Sequence, residues 1–310
     1  MLSIIIPTHQ RTDLLRACLH AVTRRAPAQT QIIVVDDASP GATASAVATS
    51  FGVRTIRLER QRGFAVAANT GIRASSGDIV EMLNDDTEVQ PGWADAVLPW
   101  FADPAIGSVA PLVLAWPDGT IVDSAGDRYY LGGIANKRGH GEAVMPRHLQ
   151  PCQVFGVSAA AGFFRRTALE RVGLFAEEFG SYFEDVDLAF RMRRAGYTAV
   201  CEPAARVLHH VSASYGRIGR TLIERQSCNE ERVFWRNLPA SALRRALPKH
   251  LAVLAGKVWR RAEEGTLAPW LLGRWRAIYD WRAILRHRRE LPACGDIAAW
   301  GIDESWQGLY

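Results

Sequence analysis

The stretch Asp78-Ile79-Val80-Glu81-Met82-Leu83-Asn84-Asp85-Asp86 decides the fold, because a strand-like apolar run leads directly into two adjacent carboxylates. Adjacent carboxylates repel each other unless a positive charge lies between them. Hard cations such as Mg²⁺ and Mn²⁺ bind through one or two carboxylates together with substrate phosphates. The pair therefore indicates a divalent metal and a nucleotide-linked substrate, although two solvated aspartates at a turn would give the same pattern.

Short β-branched runs alternate with helix-compatible patterns on both sides of this stretch, which is typical of an α/β fold with a largely parallel sheet. We predict strands over Leu2–Thr8, Gln31–Asp36, Val53–Leu58, Asp78–Leu83 and Ile106–Ala115, and helices over Asp13–Arg25, Ala42–Phe51 and Ala65–Ser75. Pro7-Thr8, Asp36-Asp37 and Asp85-Asp86 end three of these strands. Because ligands of open sheets bind outside the carboxyl ends of the strands, we expect one site there.

The second half of the chain is predicted to complete this site and to end in helices. Residues 117–147 are rich in Gly, Asp and aromatic residues and indicate a hairpin or loop over the ligand-binding edge, on the acceptor side. We predict strands over Phe155–Phe164, Thr198–Cys201 and Arg206–His210, and helices over Arg166–Val172, Glu184–Ala195, Leu222–Asn237, Ala240–Glu264 and Pro269–Arg289.

Length and cysteine usage favour a cytoplasmic globular protein. The 310 residues suffice for one large or two modest domains. The five cysteines form no Cys-x-x-Cys pair, which argues against a disulfide framework or a zinc cluster. The first residues carry no basic leader and no later stretch approaches a membrane span, so we expect neither export nor insertion into a bilayer.

Charge and tryptophan are concentrated in the last third of the chain. Residues 1–210 carry a net charge of −2 and residues 211–310 a net charge of +7, and the latter contain seven of the ten tryptophans. Basic helices with aromatic residues suit an anionic membrane surface, while core packing and a homodimer are alternatives. We expect no nucleic-acid partner, because no recognisable module and no basic stripe accompany the charge.

Two further patterns suggest contacts to a nucleotide. An acidic residue such as Asp37, at the end of a second strand, can accept hydrogen bonds from a base or a ribose hydroxyl, although an Asx-turn or a helix cap is the alternative. Gly63 leads into a helix with Asn69 on its early turns, and free backbone N–H groups at a helix start favour anions. A lone glycine before a helix is more often only a turn.

A second acidic cluster and a histidine pair complete the candidates. Glu184 and Asp185 fall on the first turn of a helix, where Asp185 can serve as a general base or both can simply complement the helix dipole. Asp187 is predicted to pair with Arg191 in a structural role. The pair His209-His210 follows a strand, and a neutral imidazole there could complete a metal site or remain structural.

Taken together in this order, the motifs resemble family 2 glycosyltransferases with the GT-A fold, which is Rossmann-like. The resemblance spans roughly residues 2–215 and is carried by Ile4-Ile5-Ile6-Pro7-Thr8, Val34-Val35-Asp36-Asp37-Ala38-Ser39, Gly63-Phe64 with Asn69 and Gly71, Leu83-Asn84-Asp85-Asp86-Thr87-Glu88 with Pro91-Gly92-Trp93, and Phe183-Glu184-Asp185-Val186-Asp187-Leu188. It implies a nucleotide-diphospho-sugar donor and inversion at the anomeric carbon. Asn84 replaces the first aspartate of the family motif, a common variant.

The resemblance also implies roles for individual residues. Nucleotide contacts are expected from Pro7, Thr8, Asp37, Gly63, Asn69 and Asp85, the last near the ribose or the sugar. Asp86 is expected to ligate Mn²⁺ or Mg²⁺, with His209 near the metal or the diphosphate, and His210 next to it leaves that assignment open. Asp185, with Glu184, is expected to be the catalytic base.

The same resemblance predicts the organisation and the partners. A catalytic domain is expected over residues 1–215, with a nucleotide-sugar part at 1–115 and an acceptor part at 116–215, followed by a basic helical extension at 216–310. The donor is expected to carry UDP, dTDP or GDP. The acceptor is expected to be a glycan or a lipid-linked bacterial surface polysaccharide, as for rhamnosyltransferases, at the inner face of the plasma membrane.

Two other functions share some of these features. A nucleotidyltransferase also combines an α/β nucleotide domain with acidic metal ligands, but it would normally show a Gly-rich basic loop after the first strand, and Pro7-Thr8-His9-Gln10-Arg11 is not one. A catalytically silent sugar-binding module on the same fold would be expected to have a broken metal or base motif, and both motifs are present.

Overall fold

The computed structural model describes residues 1–210, 219–292 and 297–305. Its strands are β1 (Leu2–Thr8), β2 (Gln31–Asp36), β3 (Arg54–Arg57), β4 (Ile79–Met82), β5 (Thr87–Val89), β6 (Ile106–Ala115), β7 (Val122–Ser124), β8 (Asp127–Tyr130), β9 (Ile134–Lys137), β10 (Cys152–Val154), β11 (Phe163–Arg165), β12 (Thr198–His209) and β13 (Ile302–Asp303). Its helices are α1 (Thr12–Arg25), α2 (Thr43–Ser50), α3 (Phe64–Ala74), α4 (Trp93–Val97), α5 (Arg166–Val172), α6 (Glu184–Arg194), α7 (Arg220–Asn237), α8 (Ala240–Glu263), α9 (Leu267–Tyr279) and α10 (Trp281–Glu290).

A mixed sheet runs through the molecule in the order β10-β12-β6-β11-β4-β1-β2-β3, with β5 beside β12 and β7 beside β6. The pairs among β1, β2, β3 and β4 are parallel, whereas β11 enters antiparallel between β4 and β6. A smaller sheet has the order β13-β8-β9, so the expected hairpin over residues 117–147 is confirmed as β8-β9. The α/β class predicted from the sequence is therefore correct.

Both faces of β1 are buried, because helices cover the sheet on either side. Ile4 and Ile6 pack with Leu15 and Leu19 of α1 on one face. On the opposite face Ile5 packs with α3, and the hydrophobic cluster there includes Ala65, Ala68 and Ile72. The continuous apolar run of β1 thus reflects a strand covered by helices on both faces rather than a half-exposed one.

Most predicted elements are confirmed within one or two residues, but the predicted strand Phe155–Phe164 is wrong. Strand β10 ends at Val154 and β11 begins at Phe163, with a loop between them. The loop is apolar enough to resemble a strand, yet its small residues let it pack tightly: a Cβ on Gly156 would lie 2.5 Å from Cβ of Ala189. Its Ala160 carbonyl accepts the Asn84 N–H at 2.8 Å.

Two other boundaries also differ from the prediction. Thr198–Cys201 and Arg206–His210 belong to one strand, β12, in which the register against β6 shifts between Glu202 and Arg206. The helix predicted over Pro269–Arg289 is two helices that meet at Asp280, whose carboxylate accepts a hydrogen bond from Arg232 Nε at 2.7 Å. Both differences depend on contacts between segments that are distant in the chain.

The C-terminal helices share a hydrophobic core with α6, the helix whose first turn lies at the ligand-binding edge of the sheet. Phe179 and Phe190 pack in one cluster with Phe234, Leu238 and Trp300. Among the described residues, no helix is both long enough and apolar enough to cross a bilayer. The predicted boundary between residues 215 and 216, and also Cys294 and Trp306, lie outside the described residues.

Candidate active site

The three predicted strand ends meet at one edge of the sheet and line a cleft of about 1510 Å³. Eight of the sequence-predicted residues line this cleft, as do residues from the β8-β9 hairpin and from α7. They are Pro7, Thr8, Asp37, Gly63, Asp85, Glu184, Asp185 and His209. The strand ends that the sequence singled out therefore converge on one cleft, where ligands of open sheets bind.

Thr8 and Arg11 hold the two aspartates that follow β4. Thr8 Oγ1 donates to Asp85 Oδ2 at 2.7 Å, and Arg11 NH1 donates to Asp86 Oδ2 at 2.7 Å. Burial raises the pKa of Asp85 to about 6, although the hydrogen bond from Thr8 and the charge of Arg11 oppose the shift. The repulsion expected between the two carboxylates is thus offset by the Arg11 guanidinium.

Asp86 also contacts His209, and that histidine is backed by a second carboxylate. His209 Nε2 lies 3.1 Å from Asp86 Oδ1, and His209 Nδ1 lies 2.9 Å from Asp123 Oδ2. Asp123 further accepts from Lys137 Nζ at 2.9 Å. Burial opposes protonation of His209, but the hydrogen bonds to the two aspartates outweigh it and raise the pKa of His209 to about 9.

The neighbouring histidine faces elsewhere, which resolves the ambiguity left by the sequence. His210 Nε2 lies 2.8 Å from Glu88 Oε1, and its ring stacks on Trp116 with centroids 4.4 Å apart. Side chains of consecutive residues in extended backbone point to opposite faces, so only one of the two imidazole rings reaches the Asp86 carboxylate, while the His210 backbone N–H donates to the Asp86 carbonyl oxygen at 2.9 Å.

Asp37 organises the loop that precedes α3. Its two carboxylate oxygens accept the N–H groups of Arg62 at 2.7 Å and of Gly63 at 2.8 Å. Gly63 has φ +88°, and a Cβ there would lie 3.4 Å from the carbonyl oxygen of Gly180. Glycine is needed at this position because an L side chain rarely adopts that backbone conformation.

Asn69 and Asp86 are the two sequence-predicted residues that are not among those lining the cleft, and the nucleotide contact of Asn69 stays a prediction. Its side chain is buried and clamps the segment before α6: Nδ2 donates to the carbonyl oxygen of Phe175 at 2.8 Å and to Glu177 Oε1 at 3.1 Å. Its Oδ1 accepts the Phe175 N–H at 3.0 Å. The Asn69 carboxamide thus links α3 to the segment before α6.

Glu184 and Asp185 open α6 directly after two strained residues. Tyr182 and Phe183 have φ of 72° and 70°, a region that bulky L residues rarely occupy. Asp185 Oδ1 accepts its neighbour Val186 N–H at 2.9 Å, and Oδ2 accepts the Ala159 N–H at 3.3 Å. The strained turn and these two hydrogen bonds fix the direction of the Asp185 carboxylate at the cleft.

Burial raises the pKa of both carboxyl groups at this helix start. For Glu184 the charge of Asp185 adds to the effect of burial, and Glu184 Oε2 has no hydrogen-bond partner among the described residues. For Asp185, burial outweighs the hydrogen bonds from Ala159 and Val186, so its pKa is also raised. A carboxylate with a raised pKa accepts a proton more readily near neutral pH.

The ion pair that the sequence predicted on the same helix is also present, with Asp187 Oδ2 2.9 Å from Arg191 Nε.

Several residues at the site were missed by sequence reasoning. Arg11, Asp123, Asp127, Lys137 and His140 surround the predicted carboxylates. Four of them lie in the segment 117–147, whose only sequence signal was its Gly, Asp and aromatic content. Arg11 follows β1 without a recognisable motif. Their importance is visible only when the strands are assembled.

The carboxylate of Asp86 and the imidazole of His209 suit a divalent cation that takes only a few of its ligands from the protein. One carboxylate and one imidazole are acceptable ligands for Mn²⁺, which would displace the ring proton of His209 and complete its shell with waters and substrate phosphates. Asp123 on the far nitrogen of His209 would fix the ring, as carboxylates behind ligating histidines do. Among the residues that the structure describes, no group of three or more His, Cys, Asp and Glu side chains is arranged for a metal.

Comparisons with known proteins identify the family of this chain. Residues 3–173 match the family model "Glycosyl transferase family 2". The chain is 33% identical over 181 residues to the pre-mycofactocin glycosyltransferase of Mycobacterium tuberculosis, covering 58% of this chain and 37% of the relative. It is 28% identical over 244 residues to the N-acetylglucosaminyl-diphospho-decaprenol L-rhamnosyltransferase of the same species, covering 70% of this chain and 78% of the relative.

Two of the curated relatives are much longer than the matched part, and the chain spans only 25% and 37% of their length. Among solved structures, the mannosyltransferase of Pyrobaculum calidifontis in complex with GDP-Man and Mn²⁺ is similar with a TM-score of 0.59, at 19% identity, over 90% of this chain and 87% of that one. This similarity establishes the fold. The family model covers more than half of the chain, and the chain accordingly belongs to glycosyl transferase family 2, as a glycosyltransferase of the GT-A fold.

Proposed function

We propose that the protein transfers a sugar from a nucleotide-diphospho-sugar to a hydroxyl group of a glycan or lipid-linked acceptor, with inversion at the anomeric carbon. The observation that carries this proposal is the placement of Asp185, fixed in direction by a strained helix start, in the same cleft as Asp85 and His209. One wall thus offers a proton acceptor and another offers groups suited to a diphosphate.

The donor would bind along the strand ends. Pro7 and Thr8 border the cleft beside Asp85, and Asp37 holds the backbone of the Gly63 loop, where the nucleotide would lie. Asp86 and His209 would hold Mn²⁺ or Mg²⁺. When bound, the ion offsets the negative charge that develops on the leaving nucleoside diphosphate.

Asp185 would take the proton from the acceptor hydroxyl as the hydroxyl oxygen attacks the anomeric carbon. The raised pKa of Asp185 supports this role, because a general base works best when its pKa approaches the working pH. A single displacement inverts the anomeric configuration. The buried and uncharged form of Glu184, favoured by its own raised pKa, would avoid a second negative charge beside the base.

The acceptor would approach from the side of the β8-β9 hairpin and α7, which complete the cleft. Arg225 lines this side and would favour an acceptor that carries negative charge, whereas Arg128 and Lys137 on the same side are paired with Asp303 and Asp123. This chain matches 78% of the length of the relative whose name includes a diphospho-decaprenol acceptor. That similarity supports a lipid-linked acceptor.

Replacement of the base tests the proposal. We expect Asp185→Asn to lower kcat by about 10²–10⁴-fold, the usual contribution of a general base, and to leave the affinity for the nucleotide unchanged. The measurements are release of nucleoside diphosphate from a panel of sugar nucleotides with Mn²⁺, and nucleotide binding by calorimetry. The exposed Asp95→Asn is the matched control and should retain full activity.

Each alternative function predicts a different product. Full turnover by Asp185→Asn would remove this residue from the role of base. Release of pyrophosphate from a nucleoside triphosphate and a sugar phosphate would identify a nucleotidyltransferase. Failure of the native protein to release nucleoside diphosphate from any donor would favour the silent binding module.

A further inference from the structure

Large exposed apolar side chains are concentrated on three consecutive helices. Of the fifteen in the described part of the chain, ten lie between residues 247 and 281, on α8, α9 and α10. They are Leu247, Leu251, Val258, Trp259, Leu271, Leu272, Trp275, Ile278, Tyr279 and Trp281. Scattered exposed apolar residues are normal, whereas a concentration of this kind marks an interaction surface. We call these ten residues the apolar platform.

On α8 the platform residues form one stripe of the helix. Leu247, Leu251 and Val258 recur at helical spacing and are 41%, 58% and 40% exposed. A different stripe of the same helix, with Ala246, His250 and Val253, is buried. The core therefore uses one face of α8 and leaves its second apolar face without a partner in the described chain.

Helix α9 is arranged in the same way. Trp270, Gly273 and Ala277 are buried, and a Cβ on Gly273 would lie 2.3 Å from the Glu224 carbonyl oxygen of α7. Trp275 and Tyr279, on another face, are 55% and 72% exposed. Two apolar faces on one helix are explained when one packs on the protein and the other on a second surface.

The charge around the platform is strongly positive. Residues 240–290 carry a net charge of +8. Lys257 and Arg274 are neutralised by Glu230 and Glu231 in the interior. Four exposed arginines form no ion pair among the described residues, and their charges are therefore available to an anionic binding partner. They are Arg244, Arg282, Arg286 and Arg289.

We propose that α8, α9 and α10 bind the surface of an anionic lipid bilayer. Tryptophan, tyrosine and leucine side chains would enter the boundary between headgroups and acyl chains, and the unpaired arginines would contact lipid phosphates. A second copy of this chain is a poorer occupant, because a two-fold contact would bring arginines of the same sign together.

The apolar platform lies next to the cleft, so membrane binding would affect access of an acceptor to the cleft. Arg276 of α9 lines the cleft, while its neighbour Trp275 belongs to the platform. Binding to the bilayer would bring the acceptor side of the cleft to the membrane surface. This step rests on the proposed function, since it supplies the hydroxyl of a lipid-linked acceptor.

Vesicle sedimentation of the full chain tests the proposal without any substrate. We expect binding to vesicles of phosphatidylcholine with 30 mol% phosphatidylglycerol, weakened by salt, and little binding to phosphatidylcholine alone. Arg282→Gln/Arg286→Gln/Arg289→Gln should weaken binding about 100-fold, because each basic residue near an anionic surface contributes about 1 kcal/mol. Trp259→Ser/Trp275→Ser should weaken it at least tenfold.

Matched controls lie outside the platform. Leu149→Ser and Arg60→Gln change exposed residues of the same kinds and should bind vesicles like the native chain. The platform variants should keep their hydrolysis of the sugar nucleotide in solution, so a loss of vesicle binding is distinguished from a failed catalytic proposal. Equal binding to neutral vesicles, or no binding to anionic ones, would overturn the inference. A dimer that dissociates in the platform variants would assign the surface to a second copy instead.

Discussion

Asp127 is the residue whose environment is least expected from the sequence. Its side chain is buried in β8, and its Oδ2 has no hydrogen-bond partner among the described residues. Burial and then the nearby charge of Asp185 raise the pKa of Asp127 from 3.8 to about 8. A protonated Asp127 therefore lies beside the proposed base at neutral pH, where it adds no charge that would compete with ionisation of Asp185.

The buried position of Asp127 predicts that the stability of the fold depends on pH. A carboxyl group with a higher pKa in the folded state stabilises the fold below its ordinary pKa, and this contribution is lost as the pH rises from about 4 to about 8. Asp127→Asn removes the ionisation, so we expect its Tm to exceed that of the native chain by about 3 °C at pH 8, corresponding to about 1 kcal/mol.

The measurement is calorimetry at pH 5 and pH 8. At pH 5 the native carboxyl is protonated, and the difference in Tm should shrink. The exposed Asp95→Asn should show no such trend. A Tm difference that is the same at both pH values would show that Asp127 does not ionise between them.

At the scale of elements, the packing of α3 against the sheet requires a glycine at position 71. A Cβ on Gly71 would lie 2.2 Å from Ile5 Cγ2 and 3.0 Å from Val35 Cγ2. Helix α8 also contains a glycine, but a Cβ on Gly256 would meet nothing within 4 Å. The two glycines have the same chemistry and opposite surroundings.

The same substitution should therefore have opposite effects at the two positions. Gly71→Ala is expected to destabilise the fold by about 2 kcal/mol through overpacking of β1 and β2. Gly256→Ala is expected to stabilise it by about 0.5–1 kcal/mol, because alanine is the better helix former and the space is open. Denaturant unfolding of both variants measures this, and equal effects of the same sign would contradict the packing argument.

Helix α6 joins the proposed base to the C-terminal helices through a buried network. Asp187 Oδ1 accepts from Asn237 Nδ2 at 2.8 Å and lies 3.0 Å from Arg236 Nε. Arg191, on the same helix as Asp187, also donates to the carbonyl oxygens of Val172 and Gly173. The start of α6 is thus held both by the turn before it and by groups from α7.

At the scale of the whole molecule, this network and the shared core argue that the C-terminal helices are part of the folding unit. We propose that the two predicted regions, 1–215 and 216–310, fold cooperatively. Removal of residues 219–310 would expose Phe179 and Phe190 and would leave Asp187 without Arg236 and Asn237. A buried carboxylate that loses its partners is strongly destabilising.

We therefore expect the fragment 1–218 to be insoluble or to lack a cooperative thermal transition, whereas the full chain unfolds in one calorimetric transition. The fragment is compared with the full chain by expression, circular dichroism and calorimetry. A folded fragment with the nucleotide affinity of the full chain would show instead that the first region is an independent domain.

Local pattern predicted much of the fold and the convergence of three strand ends on one cleft. The alternation of β-branched runs with helical patterns gave the parallel core, and the polar pairs after β1, β2 and β4 located the cleft. These features are readable because strand and helix periods are local properties. The loop between Val154 and Phe163 was misread because its apolar composition does not distinguish a strand from a tightly packed loop.

The sequence by itself determined the α/β class, the strand ends that converge, and the motifs that place the chain in its family. Only the tertiary structure decided that the imidazole of His209 rather than that of His210 contacts the carboxylate of Asp86, that Asn69 clamps a buried segment, and that Asp123 backs the histidine. The physical reason is distance along the chain: His209 and Asp86 are 123 positions apart, and their contact exists only after the sheet has assembled.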